Sequence, residues 1–147
     1  MNEAQLSPKN RVDEDRLVDL RTRTKAPIKS IVLWAIVMVG VIIGELLPGN
    51  SQILSAVSSF GLSDKALHFG AYLLLSAIPS FGFERRRGTM AALSMVLLGV
   101  VLEFAQRMVP GRDFEIADMV ANALGVLAGL ALTLPIKTFI LDRTMLG

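Results

Sequence analysis

Three polar clusters interrupt an otherwise apolar chain, and their side chains suit acid–base and hydrogen-bond chemistry. Asp64, Lys65, His68 and Tyr72 form the first. Glu103, Gln106 and Arg107 form the second, and Arg112, Asp113, Glu115, Asp118 and Asn122 the third. An imidazole titrates near neutrality, so His68 with Glu103 or Asp118 supplies the parts of an acid–base or polar site. Arg112 offers a guanidinium to an anionic group. Asp64, Tyr72, Gln106 and Asn122 offer hydrogen bonds that would orient a ligand.

Other chemistries lack their parts. With no cysteine, the chain has no disulfide, thiolate ligand or thiol nucleophile. There is no His-Glu-x-x-His or comparable metal spacing, no nucleophile elbow and no Gly-rich phosphate loop. No metal site is therefore expected, and the cofactor stays open. The net charge of +2 comes with no nucleic-acid module.

The elements that must position these residues are membrane helices. Hydrophobic residues make up 52% of the 147 and fall in long runs, whereas a soluble core alternates them in short patches. The expected fold is all-α, a polytopic four-transmembrane-helix bundle. Residues 1–29 alternate acids and bases with little to bury, and a disordered tail is expected there. The membrane domain is expected over residues 30–141. The first apolar run follows a long charged stretch, so no cleaved leader is expected.

The first span is expected from about Ile31 to Leu47. Gly40 and Gly44 there form a small-xxx-small pair suited to close helix contact. Glu45 is expected to reach the membrane interface, and Pro48-Gly49-Asn50 to stop the helix. Residues 51–62 carry a helical apolar stripe, consistent with a short interfacial helix in the first outer loop. Ser63 is a candidate N-cap for a second span from Asp64 to about Phe83. A basic turn, Glu84 to Gly88, precedes the third span. Its apolar run ends at Leu102 and is too short alone, so the helix must continue through Glu103 to Gln106. A fourth span is expected from about Glu115 to Leu134, where Pro135 stops or kinks it.

Lys and Arg number seven in the N-terminal tail, one in the 48–65 loop, three in 84–88, two in 105–115 and two at the C-terminal end. The alternation gives a cell-membrane protein with both ends in the cytoplasm. All three polar clusters then fall at the extracytoplasmic end. At about 100° per residue, Asp64, His68 and Tyr72 share one helix face. Glu103 and Gln106 share another. Asp118, Asn122, Gly125 and Gly129 share a third, whose glycines point it toward a neighbouring helix. The pairs expected are Arg112 with Asp118 or Glu103, and His68 with Asp64 or Glu103. Lys65, Arg107 and Asp113 are expected in solvent or among head groups. Each polar residue also has a plain structural use, as a cap, packing or interface residue, so the cluster weighs more than any member.

The stretch Asp64-Lys65-Ala66-Leu67-His68-Phe69-Gly70-Ala71-Tyr72 resembles the Asp-Lys-x-x-His-Phe-x-x-Tyr signature of the VanZ-like family. Glu103-Phe104-Ala105-Gln106 resembles its Glu-x-x-Gln. Pro110-Gly111-Arg112, Asp118 and Asn122-Ala123-Leu124-Gly125 resemble its last segment. The resemblance runs over roughly residues 31–134. It implies a small bacterial polytopic membrane protein, in a family whose namesake is associated with resistance to the lipoglycopeptide teicoplanin. Many members occur where no such resistance exists, so a broader cell-envelope role is the expectation.

Three functions remain open on these residues. The first is a site that binds or acts on a lipid-linked or amphipathic envelope molecule, a lipoglycopeptide among them. The second is a non-enzymatic membrane partner subunit whose polar cluster is a structural lock. The third is a small transporter or channel, disfavoured because the inner half of the bundle lacks matching polar residues. Whether the chain is an enzyme, and its oligomeric state, are not fixed by sequence.

Overall fold

The structure, a computed structural model, describes residues 28–145. The described residues form only helices: α1 (Ile28–Glu45), α2 (Gln52–Ser58), α3 (Asp64–Gly82), α4 (Arg85–Gln106) and α5 (Ile116–Met145). The expected disordered tail lies outside the described residues, except that Ile28 and Lys29 already belong to α1.

Three described helices are long and apolar enough to cross a membrane: Ile28–Glu45, Arg85–Gln106 and Ile116–Lys137, with mean hydropathy 2.0, 1.9 and 1.9. Their outer faces are apolar, with Ile36 and Leu97 exposed at 64% and 67%. Glu103, Gln106 and Asn122 are instead buried inside. A polar interior within an apolar exterior inverts the soluble pattern and marks a membrane protein.

The second expected span, α3, is not among those three. Its 19 residues would reach about 28 Å, which is long enough. Its composition is less apolar because it packs against α1, α4 and α5 together. It buries His68, Tyr72, Ser76, Pro79 and Ser80 against protein rather than lipid. Tyr72 and Leu75 join Ala92, Met95, Val126 and Leu130 in the apolar core.

The glycine face of α5 packs as its spacing required. A Cβ on Gly125 would stand 2.3 Å from the Phe69 carbonyl oxygen, and one on Gly129 would stand 2.7 Å from that of Leu73. The backbones of α3 and α5 can meet this closely only without side chains. Gly40 and Gly44 behave differently. A Cβ at either would meet no atom of another element within 4 Å, so no described helix packs closely on this pair.

Two prolines lie inside helices. Pro79 has no N–H to give the Leu75 carbonyl one turn earlier. Trp34 Nε1 supplies that bond at 2.9 Å and ties α1 to α3. Pro135 does not end its helix, as one expected reading had it: α5 continues to Met145, with Pro135 on the exposed side. At the same end, Lys137 Nζ donates to the carbonyls of Ser80, at 3.1 Å, and Phe83. The basic turn is likewise helical: α4 begins at Arg85, and Gly88 N–H donates to Glu84 O at 2.7 Å. Position 88 has no room for a side chain, since a Cβ there would be 2.5 Å from Pro79 O.

Candidate functional site

Four helix ends meet at one end of the bundle: the C-termini of α1 and α4 and the N-termini of α3 and α5. Backbone contact fixes their spacing. Gly49 N–H donates to Pro110 O at 3.1 Å, and a Cβ on Gly49 would lie 1.8 Å from Gly111 O. Gly111 itself adopts φ +73°, a conformation that favours glycine. The two Pro-Gly turns therefore close against each other and draw the α1–α2 and α4–α5 loops together.

Ser63 caps α3, accepting from Ala66 N–H at 3.2 Å, and so starts the helix that carries Asp64, His68 and Tyr72. Glu103 begins α5 from outside. Its Oε1 accepts the Glu115 N–H at 2.7 Å, an N-terminal donor that the helix itself leaves unpaired. Its Oε2 is buried without a hydrogen-bond partner among the described residues, and so is Asn122 Nδ2. The extension of α4 through Glu103 to Gln106 is as the short apolar run required.

His68 is the hub. Its Nδ1 lies 3.1 Å from Asn122 Oδ1, and its Nε2 lies 3.7 Å from Asp64 Oδ2. When Nδ1 carries the proton and donates to Asn122, Nε2 keeps a free lone pair. Glu45 Oε1 stands 3.6 Å from Nδ1. Tyr72 and Glu103 lie within electrostatic reach of Glu45.

Glu45 corrects the sequence reading. It does not extend to the interface but is 7% exposed and faces the cluster. Its carbonyl accepts from Gln106 Nε2 at 3.1 Å. A signal was available, because the end of the first span faces the same side as the other clusters.

The ion pairs also differ in part from expectation. Arg112 Nη1 lies 3.5 Å from Asp64 Oδ1, not beside Asp118 or Glu103. Arg112 Nε donates to Leu47 O and Nη2 to Gly44 O, each at 3.3 Å. It thereby satisfies carbonyls that the end of α1 leaves open. Lys65 is not simply solvated. Its Nζ donates to Glu115 Oε2 and lies 3.1 Å from Asp118 Oδ1. Arg107 turns aside, its guanidinium 4.5 Å from the Phe114 ring centroid. Asp64, His68 and Asp118 place one candidate ligand atom each within 4.8 Å of one another, a grouping the sequence spacing did not predict.

A cavity of about 230 Å³ opens beside the cluster. Val41, Leu47, Ile53, Leu54, Val57, Leu67 and Ala71 give it apolar walls. Glu45, Asp64, His68 and Arg112 line it as well. Helix α2 contributes three of the wall residues, which explains the apolar stripe read from its sequence. Glu103, Gln106, Asp118 and Asn122 do not line this cavity; Asn122 and Gln106 brace His68 and Glu45, which do, whereas Glu103 and Asp118 contact Glu115 and Lys65 behind it.

No curated protein and no solved structure matches this chain. The family model VanZ/LLP1 matches residues 27–139, which include every residue of the site. The chain belongs to the VanZ/LLP1 family.

Proposed function

We propose that the protein is a four-span cell-membrane protein that binds an amphipathic or lipid-linked cell-envelope molecule at the extracytoplasmic end of its bundle. The carrying observation is the cavity. Its apolar walls suit an acyl or isoprenoid segment, and Glu45, Asp64, His68 and Arg112 beside them suit a polar head. In this reading α3 is the fourth span, enclosed by its neighbours, and α2 lies along the outer interface. Both ends of the chain lie in the cytoplasm. His68 is the group fit to exchange a proton with the head, because Nε2 stays open while Asn122 holds Nδ1. Arg112 is held by Asp64 and two carbonyls, so it would meet an anion from a fixed position. A lipoglycopeptide is one member of this ligand class, and resistance one consequence of binding it.

A second reading rests on the contacts of Glu103, Gln106 and Arg112. All three tie one helix end to another, as a structural lock for a membrane partner subunit would. The test is mass spectrometry of envelope lipids and glycans from a deletion strain, complemented with wild type or His68→Gln at matched membrane abundance. Ligand chemistry predicts an altered profile that wild type restores and His68→Gln does not. An unchanged profile in the deletion strain, with unchanged lipoglycopeptide susceptibility, contradicts it.

A further inference from the structure

We infer that Asp64, His68 and Asp118 form a binding site for a divalent transition-metal ion of the Zn²⁺ class, at the mouth of the bundle. Their candidate ligand atoms lie within 4.8 Å of one another, drawn from two helices. Asp64 and His68 are four residues apart on α3, the spacing that sets two ligands on one helix face. His68 Nε2 and Asp64 Oδ2 are 3.7 Å apart, too far for a hydrogen bond. Two ligands at about 2.1 Å from a tetrahedral ion stand about 3.4 Å apart. The observed gap is thus close to an edge of a coordination shell, and Asp118 offers a third ligand atom within 4.8 Å of the other two.

Three independent features point to a cation. First, His68 Nδ1 is held by Asn122 Oδ1 at 3.1 Å, the outer hydrogen bond that fixes the tautomer of a metal-binding histidine. It directs the lone pair of Nε2 toward Asp64. Second, Glu103 is buried with Oε2 unpartnered, and it lies within electrostatic reach of Asp118, His68 and Asp64. Third, carboxylates outnumber bases here. Among the described residues, Glu45, Asp64, Glu103, Glu115 and Asp118 stand with two fixed cations, Lys65 and Arg112, and the titratable His68. An acid surplus at membrane depth is costly and is relieved by a proton or a bound cation. One imidazole nitrogen with carboxylate oxygens favours a borderline ion such as Zn²⁺ over Mg²⁺ or Ca²⁺. Lys65 Nζ lies 3.1 Å from Asp118 Oδ1 without hydrogen-bond alignment, so the ammonium competes with the ion for Asp118. This inference does not depend on the amphipathic ligand, since ion binding is read without it; with the ion bound, Nε2 is its ligand and is not free to exchange a proton.

The test uses the full chain purified in detergent through a histidine-free tag, stripped with chelator and titrated with ZnCl₂. The chain's one histidine and lack of cysteine keep background binding low. The expected result is one Zn²⁺ per chain, with Mg²⁺ at least 100-fold weaker. Asp118→Asn and Asp64→Asn weaken Zn²⁺ at least tenfold, and Asn122→Leu by about 10–100-fold. Lys65→Met, at a partly exposed position, tightens it by about tenfold because the competitor is gone. Circular dichroism verifies that each variant is folded. No Zn²⁺ uptake by the folded wild type overturns the site. So does Zn²⁺ affinity indifferent to Asp118→Asn and Lys65→Met, or Mg²⁺ binding as tight as Zn²⁺.

Discussion

Glu103 Oε1 accepts the backbone N–H of Glu115 at 2.7 Å, so a carboxylate at the end of α4 holds the first turn of α5. The two oxygens of Glu103 have different surroundings, since Oε2 has no partner among the described residues. Glu103→Gln retains an acceptor for the Glu115 N–H, whereas Glu103→Ala leaves that donor unpaired. The alanine variant is expected to lose about 1–3 kcal/mol and much of its membrane abundance. The glutamine variant is expected at near-normal abundance but without function. Immunoblotting of membranes beside the envelope profile separates the two effects. Full function in Glu103→Gln would assign this carboxylate to structure alone.

The glycines divide into two classes. Gly129→Ala drives a Cβ to within 2.7 Å of the Leu73 carbonyl oxygen, and α3 must move away from α5. Overpacking of this kind costs about 2–3 kcal/mol. Gly40→Ala meets nothing within 4 Å and improves helix propensity, so it is expected to be neutral or slightly stabilising. Thermal unfolding in detergent should show a lower midpoint for Gly129→Ala only.

Trp34 and Pro79 are coupled through a single carbonyl. Trp34→Phe removes the donor from Leu75 O, and Pro79 has no N–H to replace it. A loss of about 1–2 kcal/mol is expected. Adding Pro79→Ala restores a backbone donor one turn away. In a double-mutant cycle Trp34→Phe should cost less in the Pro79→Ala background. Equal costs in both backgrounds would show that the indole bond does not replace the missing backbone bond.

Orientation can be read directly, because the chain is cysteine-free. Asn50 and Arg86 are both exposed, at opposite ends of the bundle. In intact cells a membrane-impermeant maleimide should label Asn50→Cys and spare Arg86→Cys. The reverse pattern would turn the site toward the cytoplasm.

Much of the bundle was legible because membrane helices declare themselves in composition and period. The α3 boundaries followed from Ser63 and Asp64 at one end and the break near Phe83 at the other. The glycine face of α5 was correctly read as a packing face, since Gly125 and Gly129 share a side with Asp118 and Asn122. Gly40 and Gly44 carry the same local signal without the contact, because spacing identifies a face but not its neighbour. Helix continuation at Arg85 was missed, and at Pro135 was left open between a stop and a kink, for a related reason. A basic run or a proline weakens a helix locally, and tertiary packing decides whether it ends.

Within the site, the residues were more legible than their pairings. His68 with Asp64 was expected and is present, and Asn122 does point inward. Arg112 went to Asp64 and the end of α1, because the Pro-Gly turns bring those groups within its reach. Glu45 was missed because an acid at the end of a span is usually drawn toward water. Nothing in its immediate sequence places it beside His68. A polar pocket at this end follows from the clustering of the polar residues, but its apolar walls do not, since they need α1, α2 and α3 together.

The central claim is that this cavity holds an amphipathic molecule. Gly44 lines it, and a Cβ there meets no atom within 4 Å, so the side chain of Gly44→Leu starts in open space at the cavity wall and takes up part of its volume. The deciding measurement is native mass spectrometry of wild type and Gly44→Leu, each purified in mild detergent from its own membrane. Wild type is expected to retain a bound amphipathic species that Gly44→Leu, at equal abundance and unfolding midpoint, has lost. The same bound species at the same occupancy in both proteins, or none in wild type, would contradict it.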